Sequence, residues 1–352
     1  MKKHNKTKDE ENNQNVEIQS NEDAKTTMKK TKKKRHLGLK IFIFILIVLG
    51  IAGGIFAKKV HDLDGNWMAA LLGHNKDTLQ NLDKLYVLAM GESTGMSDTM
   101  IVCSYDPKTQ QASMLSIPRD TFIGDSKSNA KTSDKINSLY NNGRNPEKTL
   151  KAVNELTGLN IEKYILIDTE ALVELVDIIG GVEFNVPIDM KYDDNGQDLH
   201  IDLKAGHQKL NGDQVEQLVR FRHNKDGSTY SYEYGMEDFG RMKTQREVII
   251  SVVKQTIQLK NVKEIGNILN IAEQYVQTNM KFGSLKDYIP YAINMNTENI
   301  KAEQLPGIPK YLNGISFFLA DEEETQEMVD ELFNDVIEEK SSIDEGTNIV
   351  QE

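Results

Sequence analysis

The sequence predicts an α/β layered domain held behind a single transmembrane helix. Three observations predict it: one charge-free apolar run near the N-terminus, short strand-like runs alternating with helical ones between residues 84 and 259, and one cysteine in 352 residues. Strands interleaved with helices are the pattern of layered α/β folds.

The apolar run comes first. Ile41 to Ala57 holds seventeen residues without a charge, and from Leu37, with Lys40 able to snorkel, the stretch reaches 21. About 20 helical residues cross a bilayer core. Lys29, Lys30, Lys32, Lys33, Lys34 and Arg35 precede it, whereas Lys58 and Lys59 after it soon meet Asp62 and Asp64. By the positive-inside rule, the N-terminus is cytoplasmic and the rest extracellular. A cleaved signal peptide fits less well, because the leader is long and no small-x-small site follows Gly53-Gly54. Residues 1–36 are almost devoid of apolar side chains and read as a disordered basic cytoplasmic tail ahead of the 37–57 span.

Past residue 57 the chain carries 30 basic and 48 acidic groups, a net of −18. Such a surface excludes non-specific nucleic-acid binding, which needs a basic footprint. Any anion site must be a local basic pocket. Cys103 stands inside the run Thr99-Met-Ile-Val-Cys-Ser-Tyr105 and reads as a small buried hydrophobe. With no disulfide framework, the core must stand alone.

Residues 58–82 read as an extracellular helical stalk with an apolar stripe of Trp67, Met68, Leu71 and Leu72. Lys84–Ala89, Thr99–Tyr105 and Ala112–Ile117 read as strands, and Pro146–Leu156 as a helix stopped by Gly158. Tyr164–Ile167 is a strand and Glu170–Ile178 a helix whose Leu172, Leu175, Val176 and Ile179 read as ordinary core. Val182–Val186 and His200–Leu203 are strands, Gly212–Leu218 is a helix, and Gly240–Leu259 is a long amphipathic one. Residues 83–258 form the predicted main domain, and 259–352 a C-terminal helical appendage, packed on the sheet and ending in an acidic tail.

Three segments place arginine beside carboxylate or amide. Ser116-Ile-Pro-Arg-Asp-Thr121 follows a strand, which is where α/β sheets bind ligands. Arg220-Phe-Arg-His223, if extended, aims Arg220 and Arg222 the same way. In Asp238-Phe-Gly-Arg-Met-Lys-Thr-Gln-Arg246, helical spacing puts Asp238, Arg241 and Gln245 on one face. Guanidinium forks match phosphate oxygens bidentately, so the set suits a phosphate or diphosphate. Taken singly, each segment also reads as an ordinary surface ion pair.

These residues resemble the LytR-CpsA-Psr family of cell-wall ligases. The matching pieces run from Ser97-Asp98-Thr99-Met100 through Leu115–Thr121, Asp134-Lys-Ile-Asn137 and Gly158-Leu-Asn-Ile161 to Asp177–Val182. They continue through Leu210-Asn-Gly-Asp213, Arg220-Phe-Arg222 and Gly240–Arg246. The resemblance implies a central mixed β-sheet flanked by helices. It also implies an enzyme that moves a phosphorylated glycopolymer, such as teichoic acid or capsule, from a polyprenyl-diphosphate carrier onto peptidoglycan. Arg119, Lys135, Arg220, Arg222, Arg241 and Gln245 would bind the diphosphate, and Asp98 would hold Mg²⁺. Asp238 would orient arginines or activate the attacking hydroxyl, completing a catalytic group with Arg119 and Arg241. Two departures stand out: Glu92 or Ser93 is what the shortened 90–97 loop offers for the family's upstream aspartate, and Met96 replaces an arginine. A non-enzymatic envelope sensor and a polyprenyl-diphosphate pyrophosphatase would use the same pocket.

Overall fold

The computed structural model describes residues 45–93, 96–141, 145–196, 198–258 and 264–333. The expected disordered tail, the first eight residues of the expected span and the acidic tail 334–352 lie outside them. The chain divides into two units, residues 1–76 and 77–352.

In the first unit, α1 covers 45–62 and its residues 45–57 are all exposed. Among the described residues no helix is long and apolar enough to cross a membrane. The stretch read as a continuous stalk is interrupted: Asp64 (φ 52°) and Gly65 (φ 88°) turn the chain before α2 (Trp67–Leu71). Asn66 caps α2 by accepting the Ala69 N–H at 3.0 Å. The predicted stripe splits, with Met68 buried and Trp67, Leu71 and Leu72 exposed. A short helix, α3 (Lys76–Gln80), lies at the division between the units.

The second unit opens with an antiparallel meander of β1 (Leu85–Ser93), β2 (Met96–Asp106) and β3 (Gln111–Ser116). α4 (Asn137–Asn141) and α5 (Pro146–Thr157) follow. Asn145 caps α5, Pro146 presets its first turn, and Gly158 ends it at φ 70°, a left-handed conformation that favours glycine. Next come β4 (Lys163–Asp168), α6 (Thr169–Ile178), β5 (Val182–Val186), β6 (Met190–Asp194), β7 (Leu199–Leu203) and β8 (Gly206–Leu210). α7 (Gly212–Arg220) and the 20-residue α8 (Glu237–Thr256) lead to α9 (Ile265–Tyr275) and β9 (Val276–Thr278). The chain then forms α10 (Phe282–Leu285), α11 (Ile289–Ala292), β10 (Lys301–Gln304), β11 (Gly307–Leu312), β12 (Ile315–Ala320) and α12 (Glu322–Phe333).

Six strands form the central sheet in the order β10-β3-β2-β1-β4-β9. It is mixed: β10/β3 and β1/β4 are parallel, the other pairs antiparallel. Both edges come from residues past 259, the segment the sequence set apart as an appendage. Pleat alternation divides the sheet's side chains between its two faces. Leu88, Met90, Met100, Val102, Leu115, Tyr164 and Leu166 point into a core shared with α4, α5 and α12. A second core joins α6, α7 and α8 to the two small ribbons β5–β8 and β6–β7. Cys103 is partly buried on β2, and burial pushes its thiol pKa up to about 12, as suits an unreactive filler.

α12 closes the first core. The Phe333 ring is buried, and its carbonyl accepts from Lys84 Nζ at 2.7 Å and Tyr86 Oη at 3.0 Å. Phe333→Ala is therefore expected to cost about 3–5 kcal/mol. Urea unfolding of the chain measures it; a loss below about 1 kcal/mol would show that α12 is peripheral.

Candidate active site

Three elements bring the charged residues together. Asp98 lies near the start of β2, Arg119 in the loop leaving β3, and Asp238, Arg241 and Gln245 on the first turns of α8. Gly240 sets the position of that helix. A Cβ there would stand 2.3 Å from the Tyr230 ring, so only glycine lets the first turn lie against it. Tyr230 in turn donates its hydroxyl to the Phe221 carbonyl at 3.2 Å, tying α8 to the segment that carries Arg222. Thr229 Oγ1 adds a second tie, donating to the Arg222 carbonyl at 2.6 Å and accepting the Glu237 N–H at 3.0 Å. The approach to α8 is strained: Gly235, Met236 and Glu237 have φ of 124°, 50° and 32° in succession.

Asp238 is the hub. Arg241 Nη2 lies 2.5 Å from its Oδ1, Arg222 Nε 3.9 Å from the same oxygen, and Arg119 Nε 3.5 Å from Oδ2. Arg119 Nη1 also donates to Asp98 Oδ1 at 2.6 Å. Part of the donor capacity is still unspent. The Nε atoms of Arg119, Arg222 and Arg241 are buried and make no hydrogen bond, and neither does Asp238 Oδ1. Unsatisfied buried donors are costly, and a cluster of them marks a place built for a partner. Burial lowers the pKa of the Arg241 guanidinium, with Asp238 opposing the shift and Arg119 and Arg222 adding to it. For Arg119, burial also pulls downward, but Asp238, Asp98 and Asp120 outweigh it and hold the group above its ordinary value.

A cavity of about 210 Å³ adjoins this cluster. Its floor is the sheet face opposite the first core, with Ala89, Gly91, Thr99, Ile101 and Ile167, and its walls include Leu172 of α6 and Val248 and Ile249 of α8. Asp98, Arg220, Arg241 and Gln245 stand at its polar end. Of the α6 residues read as core, Val176 and Ile179 are core, Leu175 packs against it, and Leu172 also lines the cavity.

One sequence expectation needs correction. Arg220 and Arg222 do not share an extended strand, because a capping box at Asn211 and Gln214 starts α7, which runs through Arg220. Arg220 folds back to Glu216 at 2.9 Å and faces the apolar cavity, whereas Arg222 pairs with Glu237 at 3.3 Å on the other side of Asp238. Lys135 is tied to Asp120 at 2.9 Å and has no ion pair with the Asp238 hub. Gln245 Nε2 is spent on the Val219 carbonyl at 3.1 Å, which fixes its side chain at the cavity wall. Glu92 accepts the Tyr140 hydroxyl and also lines the cavity. The roles of Glu216, Glu237 and Tyr230 were not legible in the sequence, because their partners are set by tertiary packing.

The model of the LytR_cpsA_psr family matches residues 12–334. The chain belongs to this family. Among the family's relatives, the Biofilm regulatory protein A of Streptococcus mutans is 29% identical over 84% of this chain and 75% of its own length. Polyisoprenyl-teichoic acid–peptidoglycan teichoic acid transferase TagU of Bacillus subtilis is 28% identical over 86% of this chain and 96% of its own. The crystal structure of Bacillus subtilis TagV superposes with a TM-score of 0.58 at 25% identity, covering 71% of this chain and 96% of that one.

Among the described residues no group of three His, Cys, Asp or Glu side chains could hold a metal. Asp98, whose Oδ1 accepts from Arg119, would be a single carboxylate ligand to Mg²⁺, an ion that commonly binds through one or two carboxylates with phosphate oxygens and waters.

Gly240→Ala would drive a methyl group into the Tyr230 ring and shift Asp238 and Arg241 with the helix. The expected result is a loss of about 1–3 kcal/mol in urea unfolding, with weaker binding of inorganic diphosphate by calorimetry. Unchanged binding would show that the helix start does not position the cluster.

Proposed function

We propose that this chain is a phosphotransferase that moves a phosphorylated glycopolymer, of teichoic-acid or capsule type, from a polyprenyl-diphosphate carrier onto peptidoglycan. The observation that carries this is the set of three buried guanidinium Nε atoms around Asp238 that make no hydrogen bond, one of them on Arg241, which also lines the apolar cavity. The diphosphate satisfies those donors, and the prenyl tail occupies the space between the sheet and α6 and α8. The family relationship and the activity in TagU's name support the same reading.

In the reaction a sugar hydroxyl of peptidoglycan attacks the phosphorus that bears the polymer. The new P–O bond forms as the bond to the bridging oxygen breaks, and polyprenyl phosphate leaves with that electron pair. In phosphoryl transfer, charge spreads over the phosphate oxygens, so fixed cations carry most of the catalysis. Arg119, Arg222 and Arg241 are those cations, and Arg220 and Gln245 position the carrier from the cavity side. Asp238 orients the arginines, and its carboxylate takes the hydroxyl proton. Mg²⁺ held by Asp98 and diphosphate oxygens would neutralise further charge there. The membrane assignment, with a cytoplasmic N-terminus and the main domain outside, rests on the apolar run and the lysine asymmetry around it.

The test uses the full chain in detergent with a polyprenyl-diphosphate-linked sugar phosphate, peptidoglycan oligomers and Mg²⁺. Transfer is expected, and Arg119→Ala, Arg241→Ala or Asp238→Ala should each cut it by roughly 10²-fold or more, a loss near 3 kcal/mol of transition-state stabilisation. Cleavage to water alone would point to a pyrophosphatase, and binding without turnover to a sensor. Chelating Mg²⁺ with EDTA should depress transfer in the wild type and much less in Asp98→Ala. An equal EDTA effect on both would remove Asp98 from the metal site.

A further inference from the structure

A second cavity, of about 420 Å³, opens on the other side of Asp238 from the apolar one. The two share no lining residue, yet Arg241 of the first and Asp238 of the second are 2.5 Å apart. The Asp238–Arg241 ion pair thus joins the two linings. The second cavity lies between the start of α8 and the β11–β12 hairpin.

Its chemistry differs from that of the first. Three carboxylates line it, Asp120, Glu237 and Asp238, against one guanidinium, Arg222. Each carboxylate is ion-paired, Asp120 with Lys135, Glu237 with Arg222 and Asp238 with Arg241, and their remaining lone pairs offer acceptors to a chain rich in hydroxyl groups. Its walls are aromatic. Phe317 and Phe318 form the buried side, and Tyr232 stands at the mouth with 84% of its surface exposed. The hairpin extends this surface: Pro309 pairs across the ribbon with Phe318 and Tyr311 with Ser316, and three of these four, Tyr311 excepted, line the cavity. Residues two apart on a strand face the same way, so Tyr311, 76% exposed, shares the ribbon face of Pro309, Ser316 and Phe318, which line the cavity. Exposed aromatic rings beside carboxylates are how proteins grip sugars, the ring taking the apolar C–H face and the carboxylates the hydroxyls. The volume falls within the ordinary range for small-ligand sites.

We propose that this second cavity binds the acceptor, an N-acetylated glycan strand, and presents its hydroxyl to Asp238. The proposal rests on the transferase reading and deepens it by assigning Tyr232 and Tyr311 as acceptor-binding residues. The arrangement gives in-line attack a structural basis, because nucleophile and leaving group approach the phosphorus from separate cavities.

Binding of a peptide-free peptidoglycan tetrasaccharide to the full chain in detergent, followed by calorimetry, tests it without requiring turnover. Wild type is expected to bind, and Tyr232→Ala and Tyr311→Ala should each weaken binding roughly ten-fold. Both side chains are exposed, so neither change should unfold the protein. Tyr232→Trp keeps the platform and should keep the affinity, and affinity for polyprenyl diphosphate should be the same in all three variants. Absence of tetrasaccharide binding to wild type, or wild-type affinity in both alanine variants, overturns the proposal. Cleavage of the lipid diphosphate in the same preparation judges the transferase reading separately. A glycan that binds at Tyr232 while the carrier stays intact would defeat that reading and uphold the site.

Discussion

The Asp238 carboxylate is the constraint on which the rest of the site depends. Arg119, Arg222 and Arg241 come from three different elements and repel one another, and Arg241 is almost wholly buried. A cationic cluster of that kind is stable only if an anion sits among its members. Asp238 supplies the resident charge, and its place in the first turn of α8 suits a carboxylate, since a helix N-terminus favours negative charge. One carboxylate cannot satisfy three forks, and the shortfall leaves the buried Nε donors that a diphosphate would complete.

Much of this was legible in the sequence where the signals are local. The meander strands, α5 with its Asn-Pro start and Gly stop, and β5 with its alternating pattern were all visible from periodicity and caps. Helical spacing placed Asp238, Arg241 and Gln245 on one face, and Asp238 and Arg241 do pair at three residues' separation. The failures lie where tertiary contact overrides a local rule. β8, Gly-His-Gln-Lys-Leu, is too polar to read as a strand and becomes one by pairing with β5. Arg220 was placed in extended chain, but the Asn211 capping box carries the helix through it.

The sheet's two faces explain why a cavity exists where a core would be expected. One face is filled by large apolar side chains from β1 to β4, whereas the other presents Ala89, Gly91 and Thr99 along its centre. Small residues on a sheet leave room above it unless the facing helices lean in. α6 and α8 instead pack onto the ribbons β5–β8 and β6–β7, which hold them in a second core of their own. The space is therefore bounded by two independently packed bodies, and it can stay open without collapse.

The edges of the sheet have a consequence for how the protein comes to exist. β10 joins β3, and Phe333 receives hydrogen bonds from Lys84 and Tyr86 across 249 and 247 residues of chain. Contacts so distant in sequence are slow to form and close late. Until residues 276–278 and 301–304 have been made, β4 and β3 stand as bare edges, and until residue 333 the first core lacks its last helix. Bare edges are the places where unfinished chains pair with one another. An interrupted chain would thus be a candidate for aggregation and proteolysis before it became a partial enzyme, so that folding itself checks that synthesis has reached the end of α12.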